Sequence, residues 1–149
     1  MLIQSMTRQA SIQLLARAKV GRLACAHEGQ PYITPMSLTY ETGSLYGFST
    51  VGQKITWMRT NPLVCVETEE LMNRQDWATV IVVGRYEELS KTVNDSDRKL
   101  AYDLLQRHPM WWEPGYVKTM IEGKERSLEE SVFFRIRISQ ITGHRVIPD

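Results

Sequence analysis

The chain has 149 residues, 42% hydrophobic and 23% charged, with 18 Lys and Arg against 17 Asp and Glu. Such a length and composition describe one globular domain, 1–149, able to bury a core without disulfide or metal staples. The formal net charge of +1 lacks the basic excess that marks nucleic-acid and membrane-surface proteins, so neither partner is expected.

In chain order, "TRQASIQLLARAKVG" carries Ile12, Leu15 and Ala16 on one helical stripe. Thr7 stands as N-cap and Gly21 just past the end, which predicts a helix over about 8–19. "RLACAH" reads as a first strand, "EGQP" as a turn and "YITPMSLTY" as a second strand. "ETGS" turns the chain again into a third, "LYGFS". A meander of this kind implies antiparallel pairing. "ITWMRT" is a short helix, stopped by Asn61-Pro62 because a residue before proline avoids helical angles.

"LVCVETE" follows as a fourth strand and "WATVIVVGRYEEL" as a fifth. The fifth is apolar on both faces, through Val80 and Val82 on one and Ile81 and Val83 on the other. Both of its faces should therefore be covered, one of them by a second subunit. "DSDRKLAYDLLQRHP" is a helix with Leu100, Leu104 and Leu105 on its stripe and Pro109 as its stop. "MWWEPGYVKTMIEGKE" is irregular. "SVFFRIRISQITG" alternates Val132, Phe134, Ile136 and Ile138 against Arg135, Arg137 and Ser139, the signature of a sixth strand. The fold class is thus mainly β, a six-stranded antiparallel split β-barrel with a few flanking α-helices; closure removes exposed strand edges.

Cys25 and Cys65, both in apolar strands, are expected to be buried free thiols. No apolar leader or run of some 18 apolar residues is visible, so a cytoplasmic protein is expected. His27, His108 and His144 show no metal-ligand spacing, no Cys-x-x-Cys pair exists, and no metal is expected. No nucleophile elbow or Cys/His pair announces itself, so the catalytic residues stay unknown.

"FSTVGQK", Phe48 to Lys54, joins the third strand to the short helix. Gly52, Gln53 and Lys54 fall at the helix N-terminus, where amides without intrahelical partners favour an anion. Ser49 and Thr50 add hydroxyls, and Lys54 adds a full charge. The segment reads either as a phosphate cradle or as a capped turn with a solvated lysine. Pro35 cannot donate to a ladder, so its strand is bulged or at an edge there. Met36, Ser37 and Leu38 are then free to meet a flat heterocycle, unless the proline merely marks an edge. Trp111 and Trp112 either stack on a ligand ring or lid the core. Arg135 and Arg137 are solvated, paired at an interface, or ligand-binding.

The stretch from Gly21 to Glu67, then "WATVIVVGRYEEL", and more loosely "FRIRISQITG" together resemble the pyridoxamine 5'-phosphate oxidase-like family of FMN-binding split barrels. The resemblance is strongest to its small bacterial branch, which includes the nitroimidazole-resistance reductases. It implies a homodimer with FMN at the subunit interface. Thr34, Pro35, Met36, Ser37 and Leu38 would run along the isoalloxazine, Phe48, Ser49 and Thr50 would flank ring and ribityl chain, and Gln53 and Lys54 would hold the phosphate. Thr79 matches a polar flavin contact from the partner subunit. The oxidases' arginine-led strand motif has no counterpart in "YITPMSLT". The implied function is therefore an FMN-dependent oxidoreductase acting on an unidentified small molecule, not the oxidase itself. The alternative is a non-catalytic flavin, nucleotide or haem binder of the same fold, with His144 or His108 as the haem ligand.

Overall fold

The computed structural model describes residues 1–107 and 131–147. Two tight turns build the first half of the sheet. Strand β2 (Val20–His27) passes into β3 (Gln30–Glu41) through Glu28-Gly29, and β3 into β4 (Ser44–Thr50) through Thr42-Gly43. All four turn residues have positive φ, between 40° and 79°. Two-residue hairpins need that geometry, and each of these places a glycine second. A third hairpin joins β5 (Leu63–Asn73) to β6 (Asp76–Leu89).

The last strand, β7 (Ser131–Ile147), is 17 residues long. Its first half pairs with β4 along one edge, its second half with β1 (Leu2–Ser5) along the same edge, and β6 pairs along the other. The sheet order β1-β7-β4-β3-β2-β5-β6 therefore closes on itself through β6–β7, and the recorded pairings are antiparallel. The barrel is the one expected, with a seventh strand. β1 escapes sequence reading because all four of its residues are exposed, so it carries no alternation.

Inward-facing residues of β2 to β7 form the main core, with Leu23, Val66, Val80, Val82, Phe134 and Ile136 at most 1% exposed. Helix α1 (Arg8–Arg17) plugs one end with Leu14 and Leu15; Thr7 caps it, its hydroxyl accepting from the Ala10 N–H at 3.1 Å. The helix stops two residues short of expectation. Ala18 is already extended, and Gly21 lies buried inside β2, where a Cβ would sit 2.9 Å from Val66.

Helix α2 (Gln53–Thr60) covers the other end with Ile55 and Met58. Helix α3 (Asp95–Leu105) packs on the outside of β4 and β7, where Ala101, Leu104 and Leu105 meet Tyr46, Phe48 and Phe133. Leu100, expected in that stripe, is 39% exposed, and Ala101 takes its place. Arg135 is buried rather than solvated: Glu87 of β6 accepts from it twice, at 3.0 and 2.9 Å, and Asp97 of α3 lies at 3.2 Å. Arg137 adds a bond to Glu87 from the solvent side, as an exposed, paired arginine.

Candidate functional site at the split between two strands

β3 and β4 pair only from Leu38↔Gly47 to Glu41↔Ser44. Beyond that point β3 continues with β2 through Gln30–Ser37, while β4 continues with β7 through Phe48–Thr50. The strands part at Gly47, where the Phe134 ring fills the side-chain position: a Cβ there would lie 2.5 Å from Phe134 Cζ. This divergence is the candidate cleft, with the β3 edge on one side and the β4–α2 junction on the other. Pro35 belongs to the half of β3 that does not pair with β4, where a missing N–H costs the sheet least.

α2, which carries Lys54, is fixed at several points. The Trp57 ring lies 5.5 Å from His27 and edge-on to Tyr32 at 5.9 Å. Asn61 Nδ2 donates to the Ala26 carbonyl at 3.1 Å, and Arg59 grips Glu88 through two bonds of 3.0 and 2.6 Å. The helix N-terminus is open: Gly52 is the cap without a side-chain bond, and the first intrahelical hydrogen bond runs from Thr56 N–H to the Gly52 carbonyl. The amides of Gln53, Lys54 and Ile55 precede it. A Cβ on Gly52 would meet nothing within 4 Å, and its backbone is ordinary extended chain. Neither packing nor conformation requires glycine here, so the space stays available to a ligand.

Lys54 is half-buried, and no carboxylate pairs with it among the described residues. Burial holds its ammonium below the usual lysine range, an effect the nearby Cys25 sulfur partly opposes. Burial pushes the Cys25 thiol up, partly offset by Lys54. A thiol held protonated is a poor nucleophile. A half-buried cation carried in the first turn of a helix with open amides is instead a candidate receptor for an anion.

The other expected site residues fall into three groups. Thr34 and Ser37 are half-buried and Pro35 exposed on the β3 side, while Met36 and Leu38 point into the core at 8% and 5% exposure. On the β4 side Thr50 is half-buried and Gln53 exposed. Ser49 is buried, with its hydroxyl donating to the Thr50 carbonyl at 2.9 Å. Phe48 turns its ring away into the α3 cluster, 5.0 Å from Phe133, which leaves its backbone at the cleft.

Thr79 stands apart. It lies on β6, three strands from β3, and donates to Glu67 at 3.0 Å. Within one chain it does not reach the cleft. Cys25 was missed as a neighbour of Lys54, because no local pattern links residues 29 apart. Cys65, expected buried, is exposed. It lies on the outer face in an apolar patch with Ile33, Leu63 and Val83, which are 63%, 62% and 40% exposed. Trp111, Trp112 and His108 lie outside the described residues; His144 is exposed on β7, opposite Thr79.

Among the described residues no group of three or more His, Cys, Asp or Glu side chains forms a metal cage. Among the described residues no helix is long and apolar enough to cross a membrane. A FAD-binding protein of Mesorhizobium loti shares 38% identity over 99% of this chain and all of its own, with a TM-score of 0.82. A FAD-binding protein of Mycobacterium smegmatis, at 18% identity, covers 95% of this chain and 96% of its own with a TM-score of 0.66, a likeness of fold. A Rhizobium meliloti protein is 35% identical over 144 residues, 96% of this chain and 95% of its own. The family described as pyridoxamine 5'-phosphate oxidase matches residues 7–145. With that match running from the cap of α1 to residue 145, within β7, the chain belongs to the pyridoxamine 5'-phosphate oxidase family.

Proposed function

We infer that the cleft between β3 and β4 binds a flavin mononucleotide unit and that the protein is an FMN-dependent oxidoreductase acting on a small molecule. The observation that carries this reading is Lys54, a half-buried cation with no carboxylate partner among the described residues, in the first turn of α2 with its open N-terminus. A phosphate there supplies the missing counter-charge and accepts from the amides that α2 leaves unbonded. The exposed edge at Thr34–Ser37 then borders the ring. When bound, the flavin supplies two-electron chemistry at its N5. The chain's part is to grip the phosphate, orient the ring and shield one of its faces.

A homodimer completes the arrangement. The outer face of β3, β2, β5 and β6 carries Ile33, Cys65, Ile81 and Val83 in neighbouring positions, an apolar surface suited to a second copy. In such a dimer Thr79 reaches the flavin of the partner subunit. A second reading is FAD in place of FMN, favoured by the Mesorhizobium loti protein at 38% identity. Both share the riboflavin phosphate that Lys54 would hold.

The visible spectrum of the purified protein, with mass spectrometry of what it releases on denaturation, tests the reading. Flavin absorbance that bleaches with a nicotinamide donor and returns with an acceptor supports the oxidoreductase. Flavin uptake without turnover in any donor–acceptor screen leaves a binding protein. A colourless chain that takes up neither FMN nor FAD on titration overturns the proposal.

A further inference from the structure

Beyond the cleft, a hollow of about 390 Å³ lies under α1, where the ends of β6 and β7 meet the helix. That volume falls within the range of small-molecule sites. Two small residues keep it open, Ala10 on α1 and Ala78 on β6, and its apolar lining includes Met6, Trp77 and Val146.

Three charged side chains line it: Arg17, Arg145 and Asp76. Arg17 is taken up by Glu70, which accepts from its guanidinium at 2.8 Å. Arg145 and Asp76 stand differently. Arg145 lies opposite Ala78, and Asp76 is two residues earlier on the same strand, so all three share one face. Among the described residues Asp76 has no cationic partner, and Arg145 makes a single long bond to Gln4 at 3.5 Å. Two opposite charges without ion-pair partners among the described residues therefore share one concavity with the Arg17–Glu70 pair and an apolar lining.

We propose that this hollow binds a small zwitterion, a molecule with a carboxylate and an amine on an apolar or aromatic body. The carboxylate takes the planar fork of Arg145, the amine takes Asp76, and the body fills the space left by Ala10 and Ala78. The site stands on its own geometry and does not rest on the flavin reading.

The test titrates the ¹⁵N-labelled full chain with L-phenylalanine, phenethylamine and 3-phenylpropionate, following amide shifts. Saturable shifts at Ala10, Trp77, Ala78 and Arg145 with phenylalanine are expected, and each one-charge analogue should bind roughly tenfold more weakly, the loss of one charged contact. Arg145→Gln should weaken phenylalanine by a similar factor. Ala10→Leu fills the hollow on a helix surface and should abolish the shifts while the spectrum remains that of a folded protein. Absence of saturable shifts up to the probe's solubility overturns the proposal. So do equal affinities for all three probes, or shifts that survive Ala10→Leu.

Discussion

At the scale of single residues, Lys54 carries the two strongest consequences. Its ammonium is held below the usual range by burial, so the folded chain binds protons there less readily than the unfolded chain. The sign follows: the flavin-free protein is destabilised by this group at neutral pH, and the penalty eases only as pH rises through the lowered value. Lys54→Met is therefore expected to raise the thermal midpoint of the flavin-free protein while weakening flavin binding. The expected loss is about 1.5–3 kcal/mol, roughly 10- to 150-fold, the worth of a hydrogen bond to a charged group. Calorimetry of both forms checks the opposite signs; a midpoint that falls in both would make Lys54 a structural residue. Gly52→Val separates the same roles. With nothing within 4 Å of its Cβ, the substitution should alter the stability of the empty protein by less than about 1 kcal/mol. Flavin affinity should drop sharply, because the branched side chain fills the approach to the amides of α2.

At the scale of elements, α3 is tied to the barrel by one knot of charge. Arg135 and then Arg137, both bonded to Glu87, hold its carboxyl down to about 2. A carboxyl with a depressed native value contributes stability above its ordinary range, near 4.5, and loses it as pH falls through about 2. Acid unfolding should be steep in that window, and Glu87→Gln should flatten it. At neutral pH the same substitution is expected to cost about 1–2 kcal/mol, allowing for a carboxylate one-third exposed to solvent. Urea unfolding at several pH values measures both effects.

The elements themselves were legible where a period or a cap wrote them. Thr7 marked the start of α1, the Glu28-Gly29 and Thr42-Gly43 turns marked two hairpins, and Asn61-Pro62 ended α2. β1 has no such mark. The buried guanidinium of Arg135 was hidden as well, because alternation assigns a face but does not say that a helix lies over it. The cleft was half legible: the sequence offered Pro35 and the Gly52–Lys54 corner separately. Only the pairing pattern shows that β3 and β4 diverge between them.

For the molecule as a whole, the outer face of β3, β2, β5 and β6 is the surface proposed to meet a second copy. Ile33 and Val83 are exposed enough to change without disturbing the core. Val83→Asp, alone or with Ile33→Asp, is expected to convert a dimer to folded monomers in sedimentation velocity and to release flavin in the same step. A chain that sediments as a monomer before any substitution would remove the partner subunit from the site and leave Thr79 without a role there.

β7 has a further consequence for how the protein is made. Because the same 17-residue strand borders β1, β4 and β6, no earlier portion of the chain can complete the cylinder. While translation is in progress, the nascent β4 and β6 present bare edges and half a core, the condition in which growing chains recruit chaperones or stick to one another. A ribosome paused before Ser131 therefore holds a sheet that cannot yet become a barrel.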